Sequence, residues 1–321
     1  MKIGLLSILF ADKSLSETLD YMEKLGFEAV ELYSGALAPP SHCDPAVLLE
    51  DTSALRQLRD DVERHGMFIS ALNCAGNPIS PIPGEAQKHD KALRNSVLLC
   101  EKLSVERLIV FSGCPGGSPE DKTLNWVTCP WPPEYLDTLE YQWNDVLIPY
   151  WTKAAKFASE HGVTKLCFEM HPGFCVYNPE TLLKLREAVG PSIGANLDPS
   201  HLFWQGIDIP EAIHDLGEAI FHFHAKDTRV FEKNIRKNGV LDTKHYNKLT
   251  DRAWVFGTVG YGHSESVWRE IVDALAMIGY DYVLSIEHED SLMSKEEGLE
   301  KALAFLKRVV ISEKPGQMWW A

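Results

Sequence analysis

Residues 165–199 read KLCFEMHPGFCVYNPETLLKLREAVGPSIGANLDP, and this stretch decides the fold. Its first seven residues are mostly apolar or aromatic and predict a strand, whereas residues 178–190 carry apolar side chains at helical spacing. Gly190 is suited to end that helix, and residues 193–199 predict a second strand. Two strands joined by a helix lie parallel, so the stretch predicts one β/α unit.

The same alternation runs along the whole chain. Apolar runs predict eight strands, at residues 2–9, 27–34, 67–73, 107–113, 165–171, 193–199, 220–227 and 282–289. Eight such repeats without a change of composition predict an α/β protein with a single (β/α)8 TIM barrel domain, residues 1–321, and a doubly wound sheet is the alternative. Long loops follow strands 4 and 7, at residues 114–133 and 228–258, where a barrel carries its catalytic face.

The composition excludes several classes of protein. The 321 residues are 45% hydrophobic and 24% charged, which is typical of a globular chain. A formal charge of −15 without any basic run predicts that there is no nucleic-acid partner. No apolar run is long enough to cross a membrane and no signal peptide is recognisable, so we expect a cytoplasmic protein without a membrane partner. The seven cysteines contain no CxxC pair and are expected to be buried thiols.

Four acidic or imidazole side chains fall late in the last four predicted strands, namely Glu169, Asp198, His224 and Glu287. Side chains alternate between the faces of a strand, so Glu169 points away from the side of Phe168, and His224 away from that of Phe223. If the phenylalanines face the helices, the four polar groups meet inside the barrel, where they would repel one another without a cation. Three oxygen donors and one nitrogen donor predict one divalent ion as cofactor, Mn²⁺ first, with Mg²⁺, Co²⁺ or Zn²⁺ as alternatives.

The motifs around these residues resemble the sugar phosphate isomerase/epimerase family of xylose-isomerase-like barrels, which includes tagatose 3-epimerase and inosose dehydratase. The matching residues are Glu169 in FEMHPG, Asp198 with His201 in LDPSH, His224 in HFHAKD, and Glu287 in LSIEHED. The resemblance implies that the Glu, Asp, His and Glu bind one divalent ion, and that the two glutamates exchange the substrate proton. It also implies that Arg229, just after HFHAKD, binds substrate, although its spacing from His224 differs by about one residue from the epimerase pattern.

Two carboxylates beside a metal ion suit proton transfer next to a carbonyl group. Removing such a proton is slow because the enolate is unstable, and a metal ion on the substrate oxygens stabilises its charge. Glu169 and Glu287 would flank the substrate, so that one takes the proton and the other returns it on the opposite face. The sequence therefore predicts a metal-dependent isomerase or epimerase acting on a keto-sugar or a cyclitol.

Elimination begins with the same deprotonation, so a lyase is the alternative. A leaving group would then depart from the neighbouring carbon of an inosose or of a 3-keto-glycoside, C-glycosides included. His171 shares strand parity with Glu169 and is a candidate catalytic acid or base for this outcome. Two other classes stay open: a hydrolase like the apurinic endonucleases of this superfamily, and a sugar-binding module that has kept the barrel.

Several other residues are candidate contacts of a small sugar or cyclitol, unphosphorylated because no phosphate-specific cluster is visible. His201 and His263 are predicted to bind substrate, and Trp126 and Trp131 either stack on a sugar ring or cover the barrel rim.

Three further features have two interpretations each. His222 is expected to be a core histidine rather than a ligand, and Lys226 either meets a hydroxyl or phosphate or is solvated at a loop end. The apolar tail at residues 318–320 either packs under the barrel or contacts another subunit, which would make a homo-oligomer.

Overall fold

A computed structural model describes residues 1–314 and 316–320, so Pro315 and Ala321 of the predicted domain lie outside the described residues. Eight parallel strands close into a barrel in the order β1-β10-β7-β6-β5-β4-β3-β2, which confirms the predicted TIM barrel and excludes the doubly wound sheet. The barrel strands are β1 Lys2–Leu6, β2 Ala29–Tyr33, β3 Phe68–Asn73, β4 Arg107–Val110, β5 Lys165–Glu169, β6 Ile193–Leu197, β7 Ile220–Ala225 and β10 Val283–Ile286.

Helices connect these strands on the outside of the barrel. Several begin at capping residues: Ser14 and Glu17 form a reciprocal capping box on the first helix, and Gly26 ends that helix with a φ of 81°. The helices are α1 Leu15–Leu25, α2 Pro45–Leu48, α3 Thr52–Arg64, α4 Glu85–Leu103, α5 Glu134–Glu140, α6 Ile148–Glu160, α7 Pro179–Val189, α8 Pro199–Phe203, α9 Ile209–Leu216, α10 Glu232–Asn238, α11 Glu265–Met277 and α12 Lys295–Val309.

The core lies mainly between the strands and the helices. Phe168 on β5 packs edge-on against Trp151 of α6, with 4.5 Å between ring centroids, and Phe223 on β7 contacts Trp268 of α11 at 6.5 Å. Both phenylalanines therefore face the helices, as the alternation argument required. Their neighbours along each strand must face the barrel axis.

The long segment after β7 is not an irregular loop. It contains strands β8 Asp227–Val230 and β9 Trp254–Gly257, which pair antiparallel outside the barrel. A small separate core holds this hairpin, in which Trp204 stacks on Trp254 with 4.6 Å between centroids. The segment after β4 lacks regular structure until α5, and it leads through a π-helical turn, Tyr141–Leu147, into α6.

The described part of the chain confirms some of the smaller expectations and corrects one. Six cysteines are buried and free, whereas Cys129 is exposed. In the C-terminal tail, Trp319 and Trp320 are 88% and 69% exposed, so the expectation that the tail packs under the barrel is wrong. Subunit contact through this tail stays a prediction. Among the residues described, none of the helices has the length and apolar character needed to span a bilayer.

Candidate metal centre

The four predicted ligands lie at the carboxyl ends of four neighbouring strands. Glu169 is the last residue of β5, Asp198 follows β6 and caps α8, His224 lies on β7, and Glu287 comes directly after β10. One ligand atom from each of the four lies within 4.8 Å of the others. The structure thus brings together the four side chains that the sequence analysis selected as metal ligands.

Three buried polar atoms in this cluster make no hydrogen bond of acceptable geometry with any described residue, even where a neighbour is close: Oδ2 of Asp198, Nδ1 of His224 and Oε2 of Glu287. The Nδ1 atom lies 2.8 Å from Oε2 of Glu287 and 3.4 Å from Oε2 of Glu169. Buried polar atoms without partners are costly, and three of them around one point fit a bound cation. The oxygen and nitrogen donors are those that a hard or borderline divalent ion accepts.

Electrostatics point to the same conclusion. Burial, together with the carboxylates of Glu169 and Glu287, raises the pKa of Asp198 to about 8. Burial would also raise the pKa of Glu287, but the ammonium of Lys226 and the imidazole of His224 lower it to about 2. Without a metal ion the cluster therefore limits its negative charge by holding protons and an ammonium group, and a divalent cation would replace such protons.

Lys226 is buried inside the cluster, so the expectation of a solvated loop-end lysine is wrong. Its Nζ atom lies 3.3 Å from Oε1 of Glu287, 3.7 Å from Oδ2 of Asp198 and 2.6 Å from Oε2 of Glu289. It also stands over the ring of Phe256, 4.3 Å from the centroid. Burial would lower the pKa of this lysine, but the carboxylates of Glu287 and Glu289 raise it well above its usual range, so Lys226 is a fixed positive charge.

Two histidines form the wall of the site next to β5. Nε2 of His201 lies 3.1 Å from Oε1 of Glu169, and its ring centroid is 4.1 Å from that of His171. Burial and the neighbouring His171 lower the pKa of His201 to about 3, and burial lowers the pKa of His171. Both imidazoles are therefore neutral near pH 7 and can donate or accept a proton.

A cavity of about 260 Å³ opens beside these groups. His171 contributes to its wall, and the hairpin supplies Tyr246 and Phe256. Glu289, the partner of Lys226, also lines this cavity. The long segment after β7 therefore supplies part of the cavity wall.

Two predicted substrate-binding residues instead have partners within the protein. The guanidinium of Arg229 donates two hydrogen bonds to Asp290, at 2.9 and 2.7 Å. Nδ1 of His263 lies 2.7 Å from Oδ1 of Asp227, and the ring stacks on Phe203 with 3.7 Å between centroids. Through these contacts both side chains connect strand ends to loops. That Arg229 and His263 also bind substrate stays a prediction.

The two tryptophans of the first long segment have different surroundings. Trp126 lines a separate cavity of about 560 Å³ and contacts Tyr177 edge-on, with 5.6 Å between centroids. Trp131 is 75% exposed. Neither tryptophan lines the cavity beside His171, so their stacking on a sugar ring also stays a prediction.

The stretch at residues 257–263 contains three glycines but matches neither GxGxxG nor the P-loop pattern, so tight turns explain the glycines at least as well as phosphate binding does. The backbone amides of Gly260, Gly262 and His263 all donate to Oδ2 of Asp227, at 3.0, 3.1 and 3.0 Å. The anion that this loop surrounds is thus the protein's own carboxylate. Asp227 fixes the loop against the start of the hairpin.

Sequence reasoning missed Glu31. This residue of β2 is fully buried and lies 3.0 Å from Nε2 of His224 through each of its carboxylate oxygens. Asn73 of β3 donates a hydrogen bond of 2.8 Å to the same carboxylate. The available signal was an acidic residue in the middle of the apolar run AVELY, residues 29–33, because a buried carboxylate needs partners.

His222 lies one layer below His224, as expected of a core histidine, and it is fully buried. Its Nδ1 atom is 3.0 Å from Oδ1 of Asn196, and Nδ2 of the same asparagine donates to Oε2 of Glu169 at 3.3 Å. The ligands thus rest on a buried layer of polar side chains inside the barrel.

Comparison with known proteins agrees with this fold. The chain belongs to the xylose isomerase-like TIM barrel family, whose sequence model matches residues 19–309. The uncharacterized protein YfiH of Bacillus subtilis (strain 168) is 38% identical over 313 residues, which cover 97% of this chain and 99% of YfiH.

Solved structures of low sequence identity share the fold. The probable 3-DHS dehydratase AsbF from Bacillus anthracis superposes with a TM-score of 0.66 at 17% identity, over 96% of this chain and 99% of AsbF. A D-tagatose 3-epimerase-like protein gives 0.63 at 18% identity, over 96% and 98% of the two chains. The IolI protein with a bound zinc atom gives 0.64 at 20% identity, over 97% and 98%.

Proposed function

We propose that the protein is a divalent-metal-dependent isomerase or epimerase that moves a proton next to the carbonyl group of a keto-sugar or cyclitol. The observation that carries this proposal is the convergence of Glu169, Asp198, His224 and Glu287 within 4.8 Å, with three of their polar atoms buried and unpaired. The tagatose 3-epimerase-like neighbour supports the same class of reaction. Mn²⁺ is the proposed ion, because three of the four donors are carboxylates.

The side chains divide the work of proton transfer among them. A bound divalent ion would polarise the substrate oxygens and stabilise the enolate charge. Oε2 of Glu169 and Oε2 of Glu287 lie 3.4 and 2.8 Å from Nδ1 of His224. A substrate held beside them would, on this proposal, have one carboxylate at each face. One removes the proton and the other returns it. Asp198 and His224 would hold the ion and take no proton from the substrate.

Lys226 and the cavity beside His171 complete the proposed substrate site. The Lys226 ammonium adjoins both Asp198 and Glu287, where it can donate a hydrogen bond to a hydroxyl or carbonyl oxygen of the substrate. His201 donates from Nε2 to Glu169, and its Nδ1 lone pair is a further proposed acceptor for a substrate hydroxyl. The Phe256 ring provides an apolar surface for one face of a sugar.

Solvent exchange tests the proposed reaction. The Mn²⁺-loaded protein is incubated in D₂O with ketohexoses and inososes, and we expect deuterium at the carbon next to the carbonyl in recovered substrate and in its epimer. Glu169→Gln and Glu287→Gln should each lower the exchange rate by at least about 10²-fold, because each lacks a group that accepts a proton. Glu187→Gln on the exposed face of α7 is the matched control and should exchange at the wild-type rate.

Absence of exchange with every substrate class would remove the isomerase proposal. A sugar-binding module would also fail this test, but both glutamine variants would then keep sugar affinity as long as metal occupancy survives. A hydrolase of the endonuclease type would cleave abasic DNA under the same conditions.

Elimination is the second candidate, because His171 supplies a neutral imidazole at the wall of the substrate cavity. After the same deprotonation, His171 would relay a solvent proton through Nε2 to the leaving group, because its Nδ1 atom donates to the carbonyl oxygen of Pro172 at 2.6 Å. The dehydratase neighbour supports this alternative. Incubation with inososes and oxidised glycosides would then give an unsaturated product or free aglycone, and His171→Asn would abolish it while α-proton exchange continued.

The proposal extends to the compartment and the oligomeric state of the protein. We expect the enzyme to act in the cytoplasm on an unphosphorylated sugar. A homo-oligomer formed through the exposed Trp319 and Trp320 would be detected as a loss of mass by light scattering when both are changed to serine.

A further inference from the structure

We propose that Glu31 is a positioning residue that fixes the tautomer of His224, so that its Nδ1 atom, and not Nε2, faces the metal ion. This inference rests on the proposed metal site. Both carboxylate oxygens of Glu31 lie 3.0 Å from Nε2, and both residues are fully buried. No residue of β2 belongs to the predicted ligand set, so Glu31 acts through His224.

Simple hydrogen-bond chemistry sets the direction of this effect. An ionised carboxylate can only accept, so Nε2 of His224 must carry the hydrogen that the Glu31 contact requires. A neutral imidazole has one N–H, and Nδ1 is then left with a lone pair. Nδ1 is the buried atom of His224 that makes no hydrogen bond of acceptable geometry with the residues described, and it lies beside Glu169 and Glu287. The negative charge of Glu31 also makes this lone pair a stronger donor to a cation.

Glu31 is itself held in place from the neighbouring strand. Nδ2 of Asn73 donates to Oε1 of Glu31 at 2.8 Å, and the β2–β3 register sets Glu31 opposite the small side chain of Ala71. The chain Asn73, Glu31, His224 therefore runs across the barrel interior to the metal cluster. These hydrogen bonds connect strands β2 and β3, which carry no proposed metal ligand, to the strands that carry all four.

A second metal ion is the competing interpretation of the same residues. Glu31, His222 and His224 form another group with ligand atoms within 4.8 Å, and Nε2 of His222 is buried without a partner. However, Nε2 of His222 lies 3.9 Å from Glu31, and a cation there would need the Nε2 lone pair of His224. His224 would then face the first site with a protonated Nδ1, which cannot bind a metal.

The test is Mn²⁺ affinity, measured as the loss of the free-ion EPR signal during titration of the metal-free protein. We expect one equivalent bound by the wild type and a Kd about 10- to 100-fold higher for Glu31→Ala. Glu31→Gln should fall between the two, because the amide oxygen still accepts from Nε2 but carries no charge. Ser70→Ala removes another buried hydrogen bond, from β3 to the backbone of Val30, and should keep the wild-type Kd.

A spectroscopic measurement separates positioning from general stability. In the Zn²⁺-loaded, ¹⁵N-histidine-labelled protein, we expect the His224 hydrogen on Nε2. A hydrogen on Nδ1, or a second tight equivalent of Mn²⁺, would overturn the inference. Equal Kd values for wild type and Glu31→Gln within twofold would also overturn it, and this variant is nearly isosteric, so it keeps the test valid if Glu31→Ala does not fold. Failure of the wild type to bind Mn²⁺ would instead overturn the proposed metal site.

Discussion

Single residues set the charge of the candidate site. We expect Lys226 to weaken metal binding and to promote proton exchange. Its ammonium adjoins Glu287 and Asp198, so it competes electrostatically with a divalent ion, yet it is also placed to donate to the substrate. For Lys226→Met we expect proton exchange to fall by about 10²-fold, as on removal of one donor to a developing oxyanion.

The same variant should bind Mn²⁺ several-fold more tightly than the wild type, because a neighbouring positive charge has been removed. Isotope exchange and metal titration measure the two effects on one preparation. A general loss of structure would weaken both properties together, so weaker metal binding in Lys226→Met would contradict the role given to this lysine.

Asp290 is a residue whose contribution depends on pH. Burial would raise the pKa of its carboxyl, but the hydrogen bond from Arg229 and those from Thr258 hold it well below its usual range. A depressed pKa in the folded state stabilises the protein above the unfolded value of about 3.9, and this stabilisation is lost as the pH falls. Asp290→Asn should therefore lower the free energy of unfolding at pH 7 by about 2 kcal/mol.

Urea unfolding at several pH values measures this difference. We expect it to be constant from pH 8 to pH 5 and to shrink below about pH 4, where the wild-type carboxylate also becomes protonated in the unfolded chain. A difference that stayed the same at low pH would mean that Asp290 contributes through packing alone.

At the scale of elements, the loop between β9 and α11 depends on a glycine. A Cβ atom at Gly262 would overlap the carbonyl oxygen of Thr228, which is backbone and cannot move away cheaply. Gly262→Ala should therefore destabilise the protein by about 2 kcal/mol, because the loop must shift away from Asp227. Gly316→Ala is the control, since its Cβ would meet no atom within 4 Å, and its thermal unfolding should match the wild type.

The hairpin of β8 and β9 is the element that the sequence did not reveal. Residues 228–258 were expected to be a long loop, because the apolar runs around Val230 and Trp254 are too short to predict strands by alternation. They become strands by pairing with each other and by packing Trp254 on Trp204. Local propensity is weak here, and tertiary contact decides the structure.

For the whole molecule, metal binding should be linked to folding stability. A cation that binds only the folded barrel stabilises it by about 2.7 kcal/mol at a concentration 100 times its Kd. We expect Mn²⁺ to raise the thermal midpoint of the wild type by several degrees, and EDTA to reverse the rise. Asp198→Asn and His224→Gln should show neither effect. An equal rise in both variants would place the cation elsewhere.

The sequence by itself determined the barrel, its eight strands and the four candidate ligands, because alternation along a strand fixes which side chains face inward. Glu169 and His224 could be placed in this way from their phenylalanine neighbours alone. Only the tertiary structure decided the partners of these ligands. Glu31 is 193 residues from His224 in the chain and reaches it across the barrel, and closure of the sheet, which no local pattern encodes, creates that contact.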